Sequence, residues 1–272
     1  MKILSRISLL LVFFFLSLAN AASETIAIPS AVMKKSFKAC VVTPRDYAAG
    51  NRYSVIYLLH GYSGNFTTWL KIAPLEAYAD SFHIIIVCPD GNYNSWYLDS
   101  PVKTNSAFAS YIIKEVIPFI DGNYHTWAEA KGRAIIGSSM GGHGALTLLA
   151  MHPDIFCGAG SISGIMDLTE FPGEWDIALV LGPFDRNQRA WQEHSFIGMA
   201  ENLVGKNRAI ILDCGASDFA LPGNRKAHEL LQKLQIPHEY LERPGSHTLS
   251  FSAGEIGTHL HYLTTFLLPP GK

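Results

Sequence analysis

The chain has 272 residues, 48% of them hydrophobic and 16% charged, which is enough apolar mass for a sizeable core in one domain. Its formal net charge is -2 and its Lys and Arg residues are dispersed, so there is no electrostatic footprint for nucleic acid or an anionic membrane surface.

At the N-terminus, Lys2 and Arg6 precede an apolar run from Ile7 to Leu18, followed by Ala19-Asn20-Ala21. This layout predicts a secretory signal peptide over 1–21, removed after Ala21, and a single domain over 22–272. A membrane anchor is the competing reading, but the run is shorter than the roughly 20 residues a spanning helix needs. The expectation is therefore an exported protein, periplasmic or secreted, with no stable membrane anchor after cleavage. Cys40, Cys88, Cys157 and Cys214 each lie in or beside an apolar strand-like run, where a free thiol behaves as a small buried hydrophobe, and none has zinc-ligand spacing.

Along the rest of the chain, short apolar runs bounded by turn residues alternate with helix-period stretches, which predicts an α/β fold with a mostly parallel central sheet and helices on both faces. An edge strand, antiparallel to the rest, is read at 36–42. Further strands are read at 54–59, 83–88, 133–136, 158–162, 209–214 and 239–242. Helices are expected near 74–80, 107–120, 142–151, 221–234 and 254–267. The stretch 166–206, rich in Pro, Gly, Trp and Phe, breaks the alternation. It reads either as a cap over a site at the carboxyl edge of the sheet or as a packed surface excursion.

The local signal richest in chemistry is Gly137-Ser138-Ser139-Met140-Gly141, placed between a strand and a helix. A serine presented on so tight a turn needs neighbours without side chains two positions to either side, which makes Ser139 the candidate nucleophile. Such a turn aims the Met140 N–H at the oxyanion of a tetrahedral intermediate. A second donor is expected from the loop after an earlier strand, His60-Gly61-Tyr62-Ser63-Gly64, with the Tyr62 N–H as the candidate and His60 as a structural residue beneath it. A carboxylate and then a histidine should follow the serine in the chain. Asp218 lies in the loop after a strand, where it can orient an imidazole, whereas Asp213 ends that strand and reads as a brace for nearby backbone N–H groups. Of eleven histidines, only His247 sits in a loop after the last strand, where a base must fall to reach both partners. No metal or cofactor is implied.

The series His60-Gly61-Tyr62, Pro89-Asp90-Gly91, Asn94-Ser95-Trp96-Tyr97, Gly137 to Gly142, Asp213-Cys214-Gly215, Asp218-Phe219, Asn224-Arg225 and Pro237 to His247 resembles the family of esterase D, tributyrin esterases, feruloyl and acetylxylan esterases and the mycolyl transferases. The resemblance runs from about Lys35 to the C-terminus. It implies an α/β-hydrolase fold, a triad of Ser139, Asp218 and His247, and oxyanion donors at Tyr62 and Met140. Thr248-Leu249-Ser250-Phe251 departs from the pattern, since relatives often carry Trp soon after the histidine. Trp96 and Tyr97 read either as an aromatic wall for substrate or as core packing.

The expected activity is ester hydrolysis through an acyl-enzyme, with an acetyl or feruloyl ester of a polysaccharide, or a small-molecule ester, as substrate. Two alternatives are an acyltransferase using a sugar or alcohol acceptor and a non-catalytic carbohydrate-binding protein on the same scaffold.

Overall fold

The structure is a computed structural model that describes residues 22–271; the expected signal peptide lies outside the described residues. Eight strands, β1 (Ala22–Ser30), β2 (Lys35–Thr43), β3 (Val55–Leu59), β4 (Ile85–Pro89), β5 (Arg133–Ser138), β6 (Gly158–Ile162), β7 (Ala209–Gly215) and β8 (Glu239–Arg243), form one sheet. Their order is β1-β2-β4-β3-β5-β6-β7-β8. From β4 onward every pairing is parallel, while β2 is antiparallel to both β1 and β4.

The middle strands are buried along their whole length because helices cover both faces, which is why they read as continuous apolar runs. Alternate residues serve the two sides. Tyr57, Val87 and Ile135 enter the larger core with Leu146 of the Met140–Met151 helix and Leu231 of the Leu221–Lys233 helix. Ile56, Ile86 and Ile136 enter the smaller core with Leu75 of the Leu75–Phe82 helix and Leu260 of the Leu249–Thr264 helix. Cys40, Cys88, Cys157 and Cys214 are free and buried. Among the described residues, no helix is long and apolar enough to cross a membrane.

Two expectations need correction. The strand read at 36–42 is not the edge: β1 pairs along its outer side over its full length, from Ala22↔Thr43 to Ser30↔Lys35. Residues Ala22–Thr25 are exposed and only Ile28 and Ser30 of the strand are buried, so β1 carries little apolar signal of its own. The helix that follows the serine begins at Met140 rather than Gly142, so its free N-terminal amides sit directly at the turn.

The excursion after β6 does two things. Its Phe196–Met199 helix packs on the Met140–Met151 helix, and the segment around Trp175 turns toward the carboxyl edge of the sheet.

Candidate active site

Ser139 stands between β5 and its helix with φ 57° and ψ −118°, a strained conformation held by its surroundings. The flanking glycines are sterically required. A Cβ on Gly137 would lie 2.0 Å from the Gly141 carbonyl oxygen, and one on Gly141 would lie 2.3 Å from the Leu59 carbonyl oxygen. The turn therefore packs backbone on backbone, and Ser139 is lifted over the sheet edge into a cavity of about 240 Å³. Its neighbour Ser138 is hydrogen-bonded at 2.6 Å to Ser252.

His247, in the loop after β8, places Nε2 2.8 Å from Ser139 Oγ. Its Nδ1 lies 2.9 Å from Asp218 Oδ1 and 3.0 Å from Oδ2. Asp218 Oδ1 also accepts from the Ala220 amide at 2.8 Å. Burial pushes the Asp218 carboxyl up, but the hydrogen bonds from His247 and Ala220 outweigh it and hold the group below the usual carboxylate range. The residue is thus an anion aimed at the imidazole. The Phe219 ring covers one face of His247 at a centroid distance of 4.3 Å.

Asp213 goes elsewhere. It does not brace backbone amides: its carboxylate, fully buried, pairs with Arg243 Nε at 3.1 Å, and the same nitrogen lies 2.9 Å from Glu255. Burial, then the Glu255 charge, push Asp213 up to about 7.

Among the described residues the amides of Tyr62 and Met140 donate to no protein group; Tyr62 lines the cavity with Ser139, and Met140 follows Ser139 directly as the first residue of the helix. Beneath that loop, His60 Nε2 accepts from the Gly91 amide at 2.8 Å, so its Nδ1, at 2.8 Å from the Gly61 carbonyl oxygen, is the protonated donor. Both ring nitrogens are occupied, which leaves His60 a brace rather than a base.

The aromatic pair divides. Trp96 reaches the cavity and donates from Nε1 to the Trp175 carbonyl at 3.1 Å. Tyr97 does not form a wall: it is fully buried, packs against Gly91 and Gly144, and donates its hydroxyl to the His60 carbonyl at 3.1 Å. Trp175 and Phe219 complete the aromatic side of the cavity, while Ile72 and Leu249 supply the aliphatic side. Sequence reasoning did not single out Trp175, its neighbour Asp176 or Ile72, and met Leu249 only within Thr248-Leu249-Ser250-Phe251, the stretch that departs from the family pattern. For Trp175 and Asp176 the only signal was the Pro/Gly/Trp-rich composition of the excursion.

A mostly parallel eight-stranded sheet with a strained serine turn after β5 is the α/β-hydrolase fold, and the groups gathered at its edge are the set with which serine hydrolases attack acyl carbon. The family model described as "Putative esterase" matches residues 30–251, and the chain belongs to that family. Esterase Rv1288 of Mycobacterium tuberculosis (strain ATCC 25618 / H37Rv) is 33% identical over 239 residues, covering 76% of this chain and 51% of that protein. The chain thus spans about half the length of the first curated relatives it matches. The diacylglycerol acyltransferase/mycolyltransferase Ag85B of Mycobacterium leprae (strain TN) is 28% identical over 263 residues, covering 87% of this chain and 78% of that one. Among solved structures, a ferulic acid esterase superposes with a TM-score of 0.80 at 24% identity, covering 91% of this chain and 98% of that one. The chain is thus a member of the putative-esterase family on an α/β-hydrolase scaffold.

Proposed function

We propose that this protein is an exported serine carboxylesterase in which Ser139 is the nucleophile, His247 the general base and Asp218 the orienting carboxylate. The observation that carries the reading is the position of one imidazole, within hydrogen-bonding distance of a serine hydroxyl on one side and a buried carboxylate on the other.

In the forward step His247 Nε2 takes the Ser139 proton as Oγ bonds to the ester carbonyl carbon. The carbonyl oxygen becomes an oxyanion between the Tyr62 and Met140 amides, which are free to receive it. Asp218 stabilises the imidazolium. Collapse breaks the carbon–oxygen bond to the alcohol, which leaves with the proton from His247. Water then repeats the sequence on the acyl-enzyme, giving the acid and restoring Ser139.

A cavity with an aromatic and an aliphatic side suits an acyl or aryl ester. An acetyl or feruloyl ester of a polysaccharide is the substrate class in keeping with export and with the name of the ferulic acid esterase that shares the fold. The mycolyltransferase relative favours a second reading, in which an alcohol or sugar hydroxyl replaces water in the last step. Adding an alcohol acceptor separates the two, because transfer diverts product from the acid to a new ester.

Replacing Ser139 by Ala is expected to abolish turnover of p-nitrophenyl acetate while leaving Tm within a few degrees. Undiminished turnover in a folded Ser139→Ala protein would end the proposal.

A further inference from the structure

Two loops interlock at the mouth of the cavity. Trp96 and Tyr97 in one have φ 55° and 55°, and Trp175 and Asp176 in the other have φ 47° and 58°. None of the four is glycine, and left-handed backbone at such residues persists only where surrounding contacts over-determine it. The contacts are explicit. Trp96 Nε1 donates to the Trp175 carbonyl at 3.1 Å. Asn94 Nδ2 donates to Asp176 Oδ2 at 3.1 Å, and the Tyr62 hydroxyl donates to the same oxygen at 2.9 Å.

Asp176 occupies the N-cap position of the Ile177–Leu181 helix, where an aspartate ordinarily turns its carboxylate onto a helix amide. Asp167 in the same excursion does so, accepting from the Thr169 amide at 3.1 Å. Asp176 makes no such bond and points its carboxylate across the cavity mouth instead. What it holds there is the residue whose amide stands in front of Ser139. That loop is pliable by composition, with Gly61, Gly64 and a left-handed Ser63, and its other ties are the Gly61 carbonyl accepting from His60 Nδ1 at 2.8 Å and the Ser63 amide donating to the Tyr93 carbonyl at 2.8 Å.

We propose that Asp176 is a positioning residue for ester cleavage: through the Tyr62 hydroxyl it fixes the Tyr62 peptide so that its N–H meets the developing oxyanion. The inference rests on the reading of the Tyr62 amide as an oxyanion donor. It ties the excursion after β6 to the chemistry without requiring any excursion residue to touch the reacting atoms. Desolvation and the bond to Asp176 push the Tyr62 phenol above its ordinary range, so it remains a donor through neutral pH.

The test is a double-mutant cycle on p-nitrophenyl acetate, with kcat, KM and Tm measured for Asp176→Ala, Asp176→Asn, Tyr62→Phe and the Tyr62→Phe/Asp176→Ala double variant. Asp176→Ala and Tyr62→Phe should each lower kcat by about tenfold to hundredfold, with KM changing less than about threefold, because oxyanion contacts form in the transition state. Asp176→Asn keeps an acceptor oxygen of the same reach and should restore kcat to within about threefold of the parent. The double variant should be no slower than either single one. Independent, multiplying losses overturn the inference, as does a loss confined to KM or a failure of Asn to rescue. Tyr62→Phe and Asp176→Asn keep the test alive should Asp176→Ala not fold. Full activity in Asp176→Ala alongside an inactive Ser139→Ala removes the inference and leaves the reaction standing; full activity in Ser139→Ala removes both.

Discussion

Replacing Asp218 by Asn tests the order of the hydrogen-bonded row without changing its shape. In the parent, Oδ1 accepts from both the Ala220 amide at 2.8 Å and His247 Nδ1 at 2.9 Å, and Oδ2 lies 3.0 Å from the same nitrogen. An asparagine satisfies the Ala220 amide with its oxygen, which puts its NH₂ where Oδ2 stood. A protonated Nδ1 then faces a donor, so the ring favours the tautomer with its proton on Nε2. At 2.8 Å from Ser139 Oγ, that nitrogen becomes a donor to the hydroxyl and cannot take its proton. The imidazolium also loses the anion beside it. The expected loss in kcat is about ten-thousandfold, or about 5.5 kcal/mol in the barrier. The assay is p-nitrophenyl acetate turnover at neutral pH beside a thermal melt, with Asp213→Asn as the companion variant losing less than about tenfold. A folded Asp218→Asn enzyme within about tenfold of the parent would refute the assignment of the carboxylate.

Two other expectations concern the scaffold. Gly141→Ala would drive a Cβ to 2.3 Å from the Leu59 carbonyl oxygen, a backbone atom of β3 that cannot step aside, so a cost of about 3 kcal/mol and a Tm fall of about 6–12 °C are expected by calorimetry. A melt within about 2 °C of the parent would contradict that packing. Asp213 is pushed up to about 7 by burial and then Glu255, so the folded state holds a proton that the unfolded state releases near its ordinary value of 3.8. Its contribution is therefore fully present below about pH 3.8 and is lost as pH rises through about 7. Melting Asp213→Asn and the parent between these limits should show the difference in Tm moving in favour of the variant as pH rises; a constant offset would contradict the raised value.

Much of this was legible in the residues because the strands are buried on both faces and the elbow glycines are sterically obligatory. Gly158–Ile162 was read with its observed bounds, and the seven strands from 36 onward were each placed to within a few residues. Strand β1 escaped because its outer half faces solvent and its pairing is carried by backbone hydrogen bonds that no side-chain pattern records. Spacing and chain order led to Ser139, Asp218 and His247, which the fold brings into one row. Tyr97 stayed open between a substrate wall and core packing because an aromatic beside a site motif looks the same whether it faces the cavity or fills a gap left by Gly91 and Gly144, as it does here. Asp176 was invisible for a different reason: its partners Tyr62 and Asn94 lie 114 and 82 positions away, and its capping position suggests a purely local role.

Mass spectrometry of the protein after treatment with a nitrophenyl phosphonate tests the central claim most directly, since the phosphorus takes the place of the acyl carbon and the adduct stays on the attacking atom. The account predicts one adduct per chain, mapped to Ser139, forming in step with loss of esterase activity and greatly slowed by His247→Ala. An adduct on another residue, or complete inactivation with the Ser139 peptide unmodified, would contradict it.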